Sequence, residues 1–215
     1  MTEQKWLQAT DPKPMLKFLR GKASERKLRL FACACCRRIP GFLESEPDRQ
    51  GLELTERDVD GLATDEEFEA LPNDGWDIRW YRRNCWDAIG RAMESYWTYV
   101  WSSVWVSRNQ DATMEQIQAQ ARRQNDADLA VLLFDIFRNP FRPVAVDPGW
   151  LIWHGGLLVS IAQRMYDGRD FSDMPVLADG LEEAGCQDQD ILGHCRSGGE
   201  HVRGCWVIDA ILGRS

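Results

Sequence analysis

Apolar residues recur at helical spacing along most of the chain. In SERKLRLFACACCRRI, a single helix face would carry Leu28, Phe31, Ala32, Cys35 and Ile39, which lie three or four residues apart. No run shows the alternation of β-branched residues that is typical of strands. The pattern therefore predicts an all-α fold, an irregular multi-helix bundle.

Two long periodic stretches predict the centre of this bundle. Residues 76–107 place Trp97, Trp101 and Trp105 four residues apart, which makes a wide aromatic stripe on one long helix. A second long helix follows after SRNQD, so the two are expected to form an antiparallel helical hairpin. Large aromatic side chains are mostly buried, which favours the core for this stripe. A groove for a partner helix or an apolar ligand is the alternative.

The segment NPFRPVAVDP breaks the helical pattern. Its prolines restrict the backbone, so we expect an extended strap with Phe141 and Val144 held against the bundle. Beyond it, a helix capped by Asp147 is predicted to continue through two glycines to about residue 166, with His154 as a hydrogen-bonded core residue.

A C-terminal three-helix segment completes the predicted fold. The whole chain, 1–215, is read as one helical domain. A subdivision into 1–142, with the N-terminal helices and the Trp-rich hairpin, and 143–215, with the C-terminal helices, is the alternative.

Charge is distributed in two opposed blocks. Residues 13–38 carry nine Lys or Arg and one acid, whereas residues 44–74 carry twelve acids and two Arg. These blocks are expected to face each other. The alternative is an exposed basic patch that binds nucleic acid, which the overall net charge of −8 disfavours.

The compartment can also be predicted. The N-terminus lacks the pattern of a signal peptide, and the longest uncharged run is shorter than the roughly 20 apolar residues of a membrane span. Seven cysteines, an odd number, argue against a disulfide framework. A cytoplasmic protein without a membrane segment is expected.

The C-terminal cysteines and histidines are the main candidates for chemistry. Cys186, Cys195, His201 and Cys205 have the spacing C-x8-C-x5-H-x3-C, and the last two are predicted to share a face of the final helix. Zinc prefers such ligands. The alternative, which the strong helical signals between these residues favour, is that the cysteines are small buried core residues, so no cofactor is the first expectation and zinc is the second.

Two other roles for this stretch stay open. Cys195 or Cys205 could be a catalytic thiol, because histidines and arginines are close in sequence, but no nucleophile signature surrounds either cysteine. His201, Arg203 and Asp209 are candidates for a polar contact site. Enzyme motifs such as G-x-G-x-x-G, a Walker loop, G-x-S-x-G and H-E-x-x-H are missing from the sequence.

Three segments together resemble a large paralogous family of uncharacterised proteins from planctomycete-type bacteria. They are DPKPMLKFLRGKASERKLRLFACACCRRI, NPFRPVAVDP and HVRGCWVIDAILG. The resemblance implies a bacterial, intracellular origin and brings no activity, cofactor or catalytic residue. The Trp-rich region 76–107 departs from it.

The function expected from the sequence is a non-enzymatic helical module that binds or scaffolds a protein partner. A zinc-stabilised protein built on the C-terminal cluster is the first alternative. Nucleic-acid binding through residues 13–38 is the second.

Overall fold

The structure, a computed structural model, describes residues 1–39, 44, 46–71, 85–107, 112–142 and 144–214. Within these ranges the chain forms α-helices, one short 3-10 turn and no strand, which confirms the predicted all-α class. Two predicted features lie partly outside the described residues: the start of the 76–107 helix and most of the connection SRNQD.

The chain divides into two compact units, Met1–Leu133 and Phe134–Ser215. The helices of the first unit are α1 Glu3–Leu7, α2 Pro12–Leu19, α3 Glu25–Arg37, α4 Glu46–Asp58, α5 Asp65–Glu69, α6 Cys85–Ser107 and α7 Met114–Phe137, whose last turn belongs to the second unit. The second unit then adds α8 Pro148–Ile152, a 3-10 turn Trp153–Gly155, α9 Leu157–Gly168, α10 Met174–Glu183, α11 Gln189–Arg196 and α12 Trp206–Ile211.

Helix starts follow the capping residues of the sequence. The side chain of Ser24 accepts a hydrogen bond from the backbone of Lys27 at the start of α3. Thr64 and Glu67 form a capping box at the start of α5. Each such cap satisfies backbone N–H groups that have no partner inside the helix, which is why the helices begin at these residues.

The two charged blocks meet in the first unit, as predicted. Arg26 of α3 lies 2.9 Å from Asp60, and Arg37 at the end of α3 lies 2.6 Å from Glu56 of α4. Arg29 contacts Asp58 at 3.4 Å. Ion pairs therefore occupy basic side chains that an exposed nucleic-acid surface would need.

The long helix α6 packs chiefly against α3. Its buried row contains Tyr96, Val100 and Val104. The tryptophan row lies beside this face: Trp97 and Trp101 are half-buried, and Trp105 is 37% exposed. The expectation that the aromatic stripe is core is therefore wrong for Trp105, because the smaller side chains fill the space against α3.

The aromatic row is continuous along the helix. Neighbouring indole rings lie 6.2 Å apart, both from Trp97 to Trp101 and from Trp101 to Trp105. In addition, the hydroxyl of Tyr96 donates a 2.7 Å hydrogen bond to Asp128, which joins α6 to α7.

The predicted helix from Asp147 to residue 166 is interrupted. Asp147 caps α8, as expected, but Gly155 and Gly156 adopt φ values of +70° and +87° and end the helical path. In this left-handed region glycine carries no Cβ penalty, so the glycines form a turn rather than a costly helix interior. His154, at φ 45°, is exposed on this turn, so its prediction as a core residue is wrong.

The second unit has its own apolar core. It is built from α8–α12 around large side chains such as Trp150, Met165 and Tyr166. Val144 of the extended segment packs against this core, whereas Phe141 is 37% exposed. No helix in the described ranges is long and apolar enough to span a membrane.

Candidate metal centre

A buried carboxylate in the last turn of α7 is the centre of the candidate site. The side chain of Asp135 is 3% exposed. Its Oδ2 accepts a 2.9 Å hydrogen bond from the backbone N–H of Val202, which fixes the carboxylate in place. Burying a carboxylate is costly unless it has hydrogen-bond partners, so the contacts of Asp135 offset the cost of its burial.

Two histidines meet the other carboxylate oxygen. His201 Nδ1 lies 2.7 Å and His194 Nε2 lies 3.2 Å from Oδ1 of Asp135. His194 comes from the last turn of α11, and His201 from the segment between α11 and α12. The two imidazole rings are 4.7 Å apart and nearly perpendicular.

A fully buried thiol completes the group. Cys205 Sγ lies 3.2 Å from His194 Nε2 and 3.9 Å from His201 Nδ1. A tight turn makes this possible: Gly204 has φ +99°, and the N–H of Cys205 bonds to the carbonyl of Val202 at 2.9 Å. The turn brings the thiol back to His201 before α12 begins.

These four side chains surround a common point. One ligand atom from each of Asp135, His194, His201 and Cys205 lies within 4.8 Å of the other three. Zinc bonds of roughly 2.0–2.3 Å in a tetrahedron place the ligand atoms about 3.3–3.6 Å apart. Four of the six separations are 2.7–3.9 Å and all six are within 4.8 Å, so a zinc ion would fit after the side chains shift.

The same nitrogen of each histidine faces both the carboxylate and the sulfur. In a Cys-His-Asp relay, by contrast, the imidazole contacts the thiol through one nitrogen and the carboxylate through the other. Four atoms that converge on a point are the geometry of metal coordination. The contacts therefore favour a metal ion over a relay.

The electrostatics agree with this distinction. Burial raises the pKa of the Cys205 thiol well above its ordinary value, and the nearby Asp135 carboxylate raises it further. Burial also raises the pKa of Asp135, but the hydrogen bonds of His194 and His201 outweigh burial and leave that pKa below its ordinary value. A protonated, inaccessible thiol is a poor nucleophile, whereas a metal ion would supply the positive charge that thiolate formation requires.

An aromatic residue shields the cluster. The indole of Trp206 lies 5.0 Å from the ring of His194, and the guanidinium of Arg138 lies over the same indole at 4.4 Å. Arg138 also forms an ion pair with Asp190 at 3.2 Å. The Arg138 guanidinium is thus engaged on the indole and with its carboxylate partner, and the positive groups that lower the pKa of Asp135 are the two histidines.

The structure brings together two of the four residues in the predicted ligand set. His201 and Cys205 do come together, but not on one helix, since α12 starts at Trp206. Cys186 and Cys195 are buried and are not members of the described group; they lie in the apolar core of the second unit, where burial raises the pKa of Cys195 to about 12.

Two residues of the described group, Asp135 and His194, are absent from the predicted set. His194 stands beside Cys195 in the sequence and was considered only as a neighbour that could activate a thiol. Asp135 is far upstream on a helix that carries no local metal motif. The sequence signal that could have identified Asp135 is an acidic residue within the apolar run that contains Leu132, Leu133 and Ile136, all of which are buried.

The predicted polar contact site is mostly buried. Arg203 is 9% exposed and stacks on Tyr166 at 4.3 Å, and Asp209 is 1% exposed inside α12. The side chain of His201 is turned toward Asp135. These three residues therefore do not present a polar surface together.

Comparisons with known proteins add no further constraint. No protein-family model matches the chain, and neither the curated proteins nor the solved structures give a match. The resemblance to the planctomycete-type family stays a prediction.

Proposed function

We propose that the chain is a zinc-stabilised helical protein whose C-terminal unit carries one structural metal centre. The ligands are Asp135, His194, His201 and Cys205. The observation that carries the proposal is the convergence of their four ligand atoms within 4.8 Å. Zinc suits this mixed set because it binds imidazole, thiolate and carboxylate in tetrahedral geometry.

A structural role is favoured over a catalytic one. Catalytic zinc keeps an open position for water or substrate, whereas structural zinc has four protein ligands. Here four protein side chains surround the point, and three of them are 5% exposed or less; His194 is 18% exposed. The metal would join three separate segments: the end of α7, the end of α11 and the turn before α12.

Cobalt substitution tests this proposal. The metal-free protein is titrated with Co²⁺ and its absorption spectrum recorded. We expect intense visible bands of tetrahedral Co²⁺, a near-ultraviolet thiolate-to-metal band, and saturation at one equivalent. Cys205→Ser should remove the thiolate band, and His154→Ala, a matched change of an exposed histidine, should leave the spectrum unchanged. Weak bands typical of octahedral Co²⁺, or no saturation, would contradict the proposal.

A second candidate function is the binding of a protein partner through the aromatic row of α6. It is supported by the exposure of Trp105 and by the continuous row of neighbouring rings formed by Trp97, Trp101 and Trp105. A photo-crosslinking residue in place of Trp105 should label one specific partner in cells. The same residue in place of exposed Ser103 is the control, and equal labelling from both positions would argue against this role.

A further inference from the structure

A groove in the first unit has no part in the metal centre. It has a volume of about 650 Å³ and is lined by residues of α6 and α7 and by the start of α2. This volume lies within the range of sites for small molecules, about 300–1,000 Å³. The groove therefore has room for a ligand with several functional groups.

One helix face forms a wall of this groove. Gly90, Met93 and Trp97 of α6 are spaced three and four residues apart, so they share a side of the helix. A Cβ added at Gly90 would meet nothing within 4 Å, which shows open space directly above the helix backbone. The half-buried indole of Trp97 and the thioether of Met93 supply apolar contact area.

Charges of both signs line the same groove. Lys13 of α2 and Arg122 of α7 are exposed, and neither takes part in an ion pair within the described ranges. Glu94 of α6 and Asp126 of α7 also line the groove, and neither forms an ion pair with another described residue. Two unneutralised cations beside two unneutralised carboxylates complement a ligand that itself carries both charges.

A buried amide adds an independent signal. Asn125 lines the groove but is only 7% exposed. Its Nδ2 donates to Asp126 at 3.1 Å, which fixes the orientation of the amide, and its Oδ1 has no hydrogen-bond donor within the described residues. A buried acceptor without a donor is unfavourable. Because this oxygen is itself buried, a ligand N–H group would reach it only after the Asn125 side chain turns toward the groove.

We propose that this groove binds a small zwitterion, a ligand with an ammonium group, a carboxylate group and an apolar body. The carboxylate pairs with Lys13 or Arg122, and the ammonium pairs with Glu94 or Asp126. The apolar body lies against Trp97. Free amino acids and short peptides share this chemistry.

Calorimetric titration with two zwitterionic probes and one neutral probe tests the proposal. The zwitterions are free phenylalanine and the tripeptide Lys-Leu-Glu with free ends. The neutral probe is N-acetyl-alanyl-leucyl-alanine amide. Binding of phenylalanine alone identifies a free amino acid as the ligand class, and binding of the tripeptide identifies peptides. Equal affinity for the neutral probe, or no binding of either zwitterion at millimolar concentration, would overturn the proposal.

Variants of the groove locate the binding. Gly90→Leu fills the open space and should weaken binding at least about tenfold, whereas Gly90→Ala, the matched control, removes little volume and should retain it. Arg122→Gln should weaken binding about two- to fivefold, the effect of an exposed ion pair. Far-UV circular dichroism checks that each variant is folded, and exposed Arg122 provides a test that does not depend on Gly90. Unchanged affinity in Gly90→Leu and Arg122→Gln would also overturn the proposal.

Discussion

Each unit contains a buried carboxylate, and the two are neutralised differently. In the first unit, Glu56 receives two hydrogen bonds from the Arg37 guanidinium, at 2.6 and 2.9 Å. In the second, Asp135 meets two imidazoles and one backbone N–H, with the thiol of Cys205 beside them. Both carboxylates are 3% exposed or less.

The Arg37–Glu56 pair is electrostatically complete by itself, whereas the group around Asp135 is not. A guanidinium is always charged and its fork matches the two carboxylate oxygens, so the Arg37–Glu56 pair needs no further group. The imidazoles and the thiol near Asp135 carry protons that a metal ion can displace. After this displacement, the electron pairs of the nitrogen and sulfur atoms would be directed at the metal. The first cluster is therefore expected to be indifferent to zinc, and the second to depend on it.

Breaking the complete pair should have the largest effect that is independent of zinc. Glu56→Gln leaves the Arg37 guanidinium without its counter-charge. We expect the first unit to lose about 3 kcal/mol of unfolding free energy, the lower end for a broken buried pair because Arg37 is one quarter exposed. Urea unfolding measures the loss, which should be the same with zinc and with a chelator. Exposed Glu66→Gln is the control, and a zinc-dependent loss would contradict the comparison.

Removing His201 from the second cluster should have its larger effect when zinc is present. At a free zinc concentration of about 1,000 times the dissociation constant, the metal contributes about 4 kcal/mol. His201→Ala should lose this contribution, and thermal melting in zinc should fall by roughly 8–16 °C. His154→Ala, on the exposed turn, should melt like the unmodified protein. A similar fall for His201→Ala in zinc and in chelator would show that His201 acts through packing alone.

Acid should remove the contribution of Asp135 in the metal-free protein. The folded pKa of Asp135 is below its unfolded value, so the ionised carboxylate stabilises the fold above the unfolded pKa of about 3.9. This stabilisation disappears as the pH falls through the folded pKa. Asp135→Asn should therefore be about 1–3 kcal/mol less stable than the unmodified protein at pH 6, and the gap should close toward pH 2. Exposed Glu183→Gln should show no gap, and a gap that widens in acid would refute the assignment.

Removing one neutral hydrogen-bond donor to a carboxylate should change the free energy of unfolding least. Tyr96→Phe removes the hydrogen bond to Asp128 and should cost about 1 kcal/mol, with or without zinc. Because burial and the nearby Asp128 raise the pKa of Tyr96, the hydroxyl stays protonated and this cost should be constant from pH 6 to pH 9. Tyr99→Phe is the control. Urea unfolding across this pH range checks both statements.

Much of the fold could be predicted from local signals. The helix face of Leu28, Phe31 and Cys35, the cap at Ser24 and the opposed charge blocks each depend on residues that are close in the chain or strongly patterned. The exposed turn at His154 was missed because two glycines can interrupt a helix or be tolerated within it, and periodicity alone does not distinguish these cases. Only the φ values decide it.

The candidate site could be predicted only in part. His201 and Cys205 were found because three residues separate them, although a turn rather than a helix face brings them together. Asp135 comes from a helix far upstream, and only tertiary packing brings it to them. Cys186 and Cys195 were included because their spacing was suggestive, but burial in an apolar core gives them a packing role that sequence spacing does not reveal.

The most direct test of the metal centre is the zinc stoichiometry of the purified protein by native mass spectrometry. The unmodified chain is predicted to carry one zinc ion. Asp135→Ala and His194→Ala should lose it, because both residues belong to the proposed ligand set. Cys186→Ala and Cys195→Ala should retain it, because the structure places them in the apolar core. Loss of zinc from the cysteine variants with retention in Asp135→Ala and His194→Ala, or no zinc in the unmodified chain after loading, would contradict the proposed centre.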